Sequence, residues 1–311
     1  NTAIGRAALY NNTTGGNNTA VGKDALNGNT TASDNTAVGC DALSANTTGT
    51  ANVAVGADAL EANTTASYNT AIGYNSMKDT TTGANNTALG GRSLQSCTTG
   101  DSNTALGDYA LHTSTTASNN TAVGTQALRY NTTGSGNVAV GQDALKDNTT
   151  GTQNVSVGRN CLSSNTTASY NVAIGHNTLE TNTTGAANVA IGDGVLNVSN
   201  GGSNTAVGHR AMLSNTTGNN NVAMGIYSLD ANTTGFQNVA VGYAALSANT
   251  TAAYNIAIGV NALLTSTTAH SNTAVGADAL DGLTTGTNNV AIGHDALTAS
   301  GADSISYCTA V

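Results

Sequence analysis

Residues 52–68 read Asn-Val-Ala-Val-Gly-Ala-Asp-Ala-Leu-Glu-Ala-Asn-Thr-Thr-Ala-Ser-Tyr, and the same 17-residue pattern begins again at Asn69. Eighteen such units follow one another from Asn1 to the unit that opens at Asn289, each with Asn first and Gly fifth. A short fixed period indicates a solenoid, in which each repeat is one coil that buries its apolar face by stacking on its neighbours. We number the positions of a coil from 1 to 17, starting at the opening Asn.

Positions 2 to 4 predict a short β-strand. Position 2 is always Thr, Val or Ile, position 4 is always Val, Ile, Leu or Met, and position 3 is Ala except at Ser156. Side chains alternate between the two sides of a strand, so positions 2 and 4 share one side. We expect that side to line the interior. We also expect a second strand in each coil, anchored at position 9 by Leu or, at Met77 and Met212, by Met.

In this interpretation the Ala column at position 3 faces away from the interior. A water-facing position should vary as position 6 does, where Arg6, Lys23 and Cys40 occur in the first three coils. Restriction to Ala therefore indicates a close contact on that side. We interpret this contact as oligomerisation, and the alternative is an internal contact within a flattened monomeric coil.

The Asn, Gly and turn positions are interpreted as structural. The opening Asn predicts a buried amide ladder at the ~4.8 Å spacing of stacked strands, with a left-handed backbone at a corner. The Gly at position 5 predicts a positive φ or a close backbone approach. Asn-Thr-Thr at positions 12 to 14 predicts a turn. One coil is a residue short, and Ser199 and Asn200 replace its Asn-Thr-Thr, so we expect that the residue is missing from the turn.

Charge and hydropathy exclude two classes of partner. The chain has 8 Lys and Arg against 17 Asp and Glu, a net charge of −9, so we expect no nucleic acid partner. No apolar run reaches about 18 residues, so we expect no membrane insertion by this segment. The unbroken register predicts one continuous solenoid array over residues 1–311. Since the sequence begins inside the motif and ends inside another, we expect a fragment of a longer fibre protein.

The motif resembles repeats of known fibrous proteins. Asn120-Thr-Ala-Val-Gly124, followed by Leu128 and by Asn131-Thr-Thr-Gly134, resembles the shaft repeats of phage tail-fibre-like proteins. The shorter Asn-Thr-Ala-Val-Gly is similar to the Asn-Ser-Val-Ala-Ile-Gly repeats of trimeric autotransporter adhesin heads. The resemblance implies an all-β, left-handed parallel β-roll that assembles as a homotrimer. It also implies an extracellular location, in a virion tail fibre or at a bacterial cell surface.

These observations together predict a non-enzymatic structural shaft that presents a receptor-binding tip for attachment to a host cell or surface. The receptor is not identified by the sequence, and a glycan is one candidate. Two alternatives stay open. One is an ice-binding Thr-rich solenoid, which thermal hysteresis would reveal, and the other is an adhesin head that binds extracellular ligands directly.

No catalytic, cofactor or metal site is predicted. Acidic residues share position 7 in Asp24, Asp41 and Asp58, and again in Asp278 and Asp295. Stacked carboxylates could recruit Ca²⁺, but the Gly-Gly-x-Gly-x-Asp pattern of calcium β-rolls is missing, so we interpret them as solvated surface. Three His share position 6 in non-adjacent coils, which argues against a metal ladder; they are His176, His209 and His294.

Three further groups of residues, which are Tyr, Asn-Thr-Thr turns and Cys, bear on function. Tyr68, Tyr170 and Tyr254, each just before an opening Asn, could stack on sugars. Eleven Asn-Thr-Thr turns are formal glycosylation acceptors, which would stay bare in a phage or bacterial protein. The four Cys match no metal or redox spacing and are expected to be isolated small side chains or free thiols; they are Cys40, Cys97, Cys161 and Cys308.

Overall fold

The computed structural model describes residues 1–298 and 304–311. This part of the chain is an all-β parallel solenoid of about 18 coils with a 17-residue repeat and contains no helix. The predicted fold class is therefore confirmed, while the left-handed coil and the trimer stay predictions. The chain divides into two compact units, residues 1–153 and 154–311. A single continuous array over 1–311 likewise stays a prediction.

The first unit contains nine three-residue strands, one at positions 2 to 4 of each coil. Successive strands pair in parallel and in register, so that Ala122 lies beside Ala139 and Val123 beside Val140. The strands are β1 (Thr2–Ile4), β2 (Thr19–Val21), β3 (Thr36–Val38), β4 (Val53–Val55), β5 (Thr70–Ile72), β6 (Thr87–Leu89), β7 (Thr104–Leu106), β8 (Thr121–Val123) and β9 (Val138–Val140).

The second unit repeats this arrangement in ten strands. Register is again position by position, with Ala173 beside Ala190 and Ile174 beside Ile191. The strands are β10 (Val155–Val157), β11 (Val172–Ile174), β12 (Val189–Ile191), β13 (Thr205–Val207), β14 (Val222–Met224), β15 (Val239–Val241), β16 (Ile256–Ile258), β17 (Thr273–Val275), β18 (Val290–Ile292) and the two-residue β19 (Thr309–Ala310).

Within residues 1–298 and 304–311 each coil has only one strand, so the prediction of a second strand at position 9 was wrong. Leu26 has φ 50° and Asp24, two residues earlier, has φ 56°, and both values lie in the left-handed region. A strand needs extended dihedrals, which these residues do not have. The backbone of Leu26 still bonds to the next coil, since its N–H donates to Ala42 O at 3.0 Å. Positions 6 to 11 therefore form a stacked turn whose Leu points inward.

The prediction for the two sides of the strand was also wrong. Ala122 and Ala139 are fully buried, whereas Val123 and Val140 are half-buried. The Ala column therefore lines the interior, together with the small residue at position 8 and Leu or Met at position 9. The interior is too narrow for a branched side chain at position 3. The exception fits because Ser156 Oγ donates to Cys161 O at 2.7 Å inside the coil.

Both predictions for the glycine at position 5 are confirmed. Gly124 has φ 133°, which L residues rarely adopt. A Cβ on Gly124 would lie 2.6 Å from the carbonyl oxygen of Gly141 in the next coil. The glycine is therefore required both by backbone conformation and by the close approach of stacked coils.

The opening Asn is buried and joins neighbouring coils, as predicted, but mainly through the backbone. Asn18 Oδ1 accepts the backbone N–H of Asn35 at 3.0 Å, and Asn18 Nδ2 donates to Ala32 O at 2.8 Å. The predicted left-handed corner is wrong for this residue, because the positive φ lies one residue earlier, as at Asp34 with φ 64°. The predicted amide-to-amide ladder is present as well, since Asn103 Nδ2 donates to Asn86 Oδ1 at 3.1 Å. A second amide ladder runs along position 12, where Asn46 Nδ2 donates to Asn29 Oδ1 at 3.0 Å.

The short coil confirms that a turn residue is missing. Strands β12 and β13 keep their register across it, with Val189 beside Thr205. Ser199 takes over the ladder position, since its Oγ accepts from Asn215 Nδ2 at 2.9 Å. Asn200 Oδ1 accepts the backbone N–H of Thr183 at 2.8 Å. Side-chain oxygens thus replace the lost turn contacts, and the sheet is undisturbed.

Candidate functional site

The outward side of the strands carries Val, Ile, Leu and Met together with Thr at position 2, and these side chains are half-buried or exposed. Position 4 is Val, Ile, Leu or Met in all eighteen coils, and position 2 is never charged. In the second unit the exposed fractions are 38% for Ile174, 37% for Ile191 and 43% for Met224. In the first unit Leu89 is 48% exposed. We name this surface the aliphatic face, meaning the side chains at positions 2 and 4 of each unit.

The constraint on the aliphatic face is not explained within one chain. The exposed positions 6 and 17 vary and include charged residues, whereas the exposed Thr at position 14 is kept, as turn chemistry requires. A solvated position should accept charged residues, whereas contact with another apolar surface excludes them. The interpretation of the Ala column as the oligomer contact was wrong, because these Ala side chains are buried inside the coil. Self-association itself stays a prediction.

The acidic column at position 7 lies on the surface and is paired with cations. Asp24 Oδ2 lies 2.9 Å from Lys23 Nζ and 3.4 Å from Arg6 Nη2, and Lys23 Nζ lies 3.6 Å from Asp41 Oδ2. The hydrogen bond from Lys23 lowers the pKa of Asp24, and the same bond raises the pKa of Lys23. Asp58 pairs with Lys78 at 3.4 Å. These solvated ion pairs leave little charge to attract Ca²⁺, in line with the surface interpretation.

A mixed cluster at the end of the second unit was not recognised from the sequence. One ligand atom from each of Asp278, His294 and Asp295 lies within 4.8 Å of the others. His294 Nδ1 lies 2.8 Å from Asp295 Oδ2, and Asp278 Oδ1 accepts from Asn261 Nδ2 at 2.9 Å. The cluster combines His294 at position 6 with Asp278 and Asp295 at position 7, so neither position of the repeat reveals it alone. His294 and Asp295 are largely exposed, so the group is weakly organised.

Two of the three His at position 6, His176 and His209, both contact the carboxylate of Asp193. Asp193, in the intervening coil, lies 2.9 Å from His176 Nδ1 through Oδ1 and 3.5 Å from His209 Nε2 through Oδ2. His176 Nε2 lies 2.9 Å from Arg159 Nη2, which donates to it. His176 and Asp193 also line an open surface depression of about 420 Å³ that includes Glu180 and Arg210. The Arg contact occupies the nitrogen that would otherwise bind a metal.

Positions 6, 7, 10 and 11 of the first unit hold a group that we name the Arg–Tyr cluster. It consists of Tyr74, Arg92, Tyr109, His112, Arg129 and Tyr130. The Arg92 guanidinium lies 5.8 Å from the ring centre of Tyr74 and 5.2 Å from that of Tyr109. The distances from Arg129 are 4.7 Å to Tyr109 and 4.9 Å to Tyr130. The sequence showed no sign of this cluster, because its members come from different coils and positions.

The three Tyr predicted as sugar contacts do not form a shared surface. Tyr68, Tyr170 and Tyr254 are exposed, but they belong to coils that are not adjacent. Tyr254 stacks edge-on against Phe236 with ring centres 5.3 Å apart. Their role in glycan contact stays a prediction.

The Thr pair of the turn divides into two roles. The first Thr is mostly half-buried, and its hydroxyl bonds to the next coil, as Thr47 Oγ1 donates to Thr64 O at 2.9 Å. The second Thr, such as Thr48 or Thr65, is exposed. The turn therefore presents one file of exposed Thr side chains per unit. Ice binding stays a prediction that thermal hysteresis would test.

All four cysteines are free thiols, as expected. Burial raises the pKa of Cys97 and of Cys161 to about 11, so both remain protonated at neutral pH. The exposed Cys40 donates to Asp41 Oδ2 at 3.0 Å, and this bond raises its pKa as well. No thiolate chemistry is expected at these sites.

No protein-family model and no curated protein matches the sequence. In the described part of the chain, no helix has the length and apolar character needed to span a membrane. The expected absence of catalytic, cofactor and metal sites stays a prediction.

Proposed function

We propose that the chain is a non-enzymatic structural segment of an extracellular fibre or adhesin, which self-associates and holds a receptor-binding tip away from its base. The aliphatic face carries this proposal. A column of exposed Val, Ile, Leu and Met with no charged member is the surface expected of a chain that is covered by other copies of itself. The motif resemblance to fibre shafts and adhesin heads favours three copies and a virion or bacterial surface.

The repeat suits a mechanical role. Successive coils are joined by backbone ladders at the strand, by buried Asn contacts at position 1 and in most coils at position 12, and by Thr hydroxyl bonds at the turn. Backbone groups that are paired and buried open only with a large part of the structure. Such segments resist proteolysis, which an exposed fibre requires.

The surface features fit a scaffold better than an enzyme. The depression lined by His176 and Asp193 is open to solvent. A second depression, of about 310 Å³, includes Asn119 and Gln153 and is lined only by polar and small residues. Substrate sites of enzymes usually enclose most of a ligand in a mainly apolar cavity. A host-surface receptor is the expected partner of the assembled fibre.

Self-association is tested by charging the aliphatic face. Val123→Asp with Val140→Asp places two carboxylates on the outward side of β8 and β9, which should abolish the assembly without unfolding the coil. Light scattering should give the parent chain a mass near three times 30.5 kDa and the variant a mass near 30.5 kDa.

The matched control is Thr133→Asp with Thr150→Asp, which adds the same charges to exposed turn positions of the same two coils. This control should keep the parent's mass. A parent chain that is monomeric at micromolar concentration, or a charged variant that keeps the assembled mass, would refute the proposed role of the aliphatic face.

A further inference from the structure

The Arg–Tyr cluster concentrates unpaired positive charge on an acidic chain. The net charge is −9, and three of the six cations outside the cluster, Arg6, Lys23 and Lys78, pair with carboxylates. Within residues 1–298 and 304–311, no carboxylate oxygen lies within 4.0 Å of a nitrogen of Arg92 or Arg129. The guanidinium groups of Arg92 and Arg129 are thus left without a carboxylate partner in the described part of the chain.

Aromatic rings hold these guanidinium groups in place. Arg129 lies between the rings of Tyr109 and Tyr130, and its Nη1 donates to Gln126 Oε1 at 3.0 Å. Arg92 donates to the hydroxyl of Tyr109. A stacked guanidinium is preorganised, so little further side-chain entropy is lost when it binds a ligand.

Hydrogen-bond donors remain available after these contacts. A guanidinium carries five N–H donors, and each Arg uses one of them on a neighbouring side chain. The Nε atom of Arg129 is buried without a partner, as is Nδ1 of His112, whose ring lies 5.1 Å from that of Tyr109. The unpaired N–H donor of the Arg129 guanidinium, beside the second cation Arg92, favours an anionic occupant.

The cluster extends along the stacking direction within the first unit. Arg92, Tyr109 and Arg129 belong to three successive coils, and Lys146, at the same position as Arg129, belongs to the next. Lys146 also has no carboxylate within 4.0 Å among the described residues. Coils stack at about 4.8 Å. A ligand that repeats its charge along an extended chain would therefore contact several of these cations at once.

The aromatic and acidic surroundings select among anionic polymers. Tyr74 is 54% exposed and Tyr130 39% exposed, so both present ring surface and a hydroxyl beside the cations. Such amphipathic rings suit the C–H faces and hydroxyls of sugars. Asp79 and Asp108 lie close enough to affect the pKa of His112, which burial and the two Arg lower. These acids would repel a densely charged phosphate polymer more than a sugar chain with one carboxylate per residue.

We propose that the Arg–Tyr cluster binds a carboxylate-bearing sugar chain, with Arg92 and Arg129 each bonding a carboxylate and Tyr74 and Tyr130 contacting sugar faces. A guanidinium binds a carboxylate through two parallel N–H donors, which a neutral sugar cannot accept in the same way. The site lies on the repeat itself and is independent of the proposed fibre role.

Isothermal titration with a galacturonate hexamer tests this site, with a neutral glucose hexamer as the matched sugar. The intact chain should bind the galacturonate hexamer saturably and the glucose hexamer at least about tenfold more weakly, since the neutral hexamer has no carboxylate for the two guanidinium groups. Arg92→Gln with Arg129→Gln should weaken galacturonate binding by a further tenfold or more by the same reasoning, about 1.4 kcal/mol per factor of ten.

The matched protein control is Arg210→Gln. Arg210 occupies the same coil position as Arg92, but in the second unit, and it should leave the affinity unchanged. If the double Arg variant does not melt cooperatively, Tyr130→Ala takes its place, because Tyr130 is partly exposed and touches the site from its edge. Absence of saturable binding, equal affinity for the two hexamers, equal affinity of the variants, or equally tight binding of a single-stranded polynucleotide would each overturn the proposal.

Discussion

The two sides of one strand, β9, show how differently the same short segment is constrained. Ala139 points into the coil and is fully buried, while Val138 and Val140 point outward and are half-buried. The smallest side chain thus lies inside and the branched ones lie outside, the reverse of an ordinary globular strand. The width of the coil decides this, because a 17-residue turn encloses room for one Leu and little else.

The comparison also separates two reasons why a coil position accepts few residue types. Position 3 is restricted by volume, since an inward side chain must fit a filled interior. Position 4 is restricted by polarity, since Val, Ile, Leu and Met of different shapes all occur there but no charged residue does. Restriction by volume reflects packing within the chain, whereas restriction by polarity supports the proposed contact between chains.

The largest effect is expected when volume is added to the interior. Ala105→Leu, Ala122→Leu and Ala139→Leu together should prevent folding of the first unit, because overpacking costs about 1–3 kcal/mol per site. Thermal melting followed by circular dichroism measures this. Val123→Leu with Val140→Leu adds volume to the other side of β8 and β9 and should change the melting temperature little. If the outward pair destabilised the chain more than the inward set, the orientation described here would be wrong.

A smaller effect is expected when a substitution crowds the contact between stacked coils rather than either side of the strand. Gly124→Ala should destabilise by about 2–4 kcal/mol, from positive-φ strain combined with overlap against Gly141 O. Gly16→Ala is the matched control, because Gly16 has no positive φ and a Cβ there would meet only Ser33 Oγ, at 4.0 Å. Equilibrium unfolding in guanidinium chloride distinguishes the two, and equal midpoints would show that the coils can separate locally at position 5.

The smallest of the three effects is expected at the buried amide beside the strand. Asn120→Leu removes the acceptor of Asn137 N–H, a 2.9 Å bond, and the donor to Gly134 O, a 3.0 Å bond. Leaving those groups unpaired costs about 1–3 kcal/mol. Thr125→Ala in the same coil removes only an exposed hydroxyl and should be nearly neutral. A Thr125 variant that loses as much stability as the Asn120 variant would count against the amide contacts.

Much of the fold could be predicted, but the candidate sites could not. The period, the in-register parallel strand, the glycine and the shortened turn at Ser199 and Asn200 all followed from local pattern and backbone chemistry. The Arg–Tyr cluster did not, since Arg92 and Arg129 are isolated in the sequence and meet only through stacking. Asp278 and His294 were both singled out in the sequence, but their proximity was missed for the same reason.

The sequence by itself determined that this chain is a parallel solenoid, because a 17-residue period with strand alternation has no other simple way to bury its apolar residues. Only the tertiary structure decided which side of the strand faces inward. Alternation at Val138, Ala139 and Val140 is the same for either orientation, and the choice depends on the left-handed backbone at positions 7 and 9. That backbone turns Leu145 into the interior and leaves space there for Ala alone.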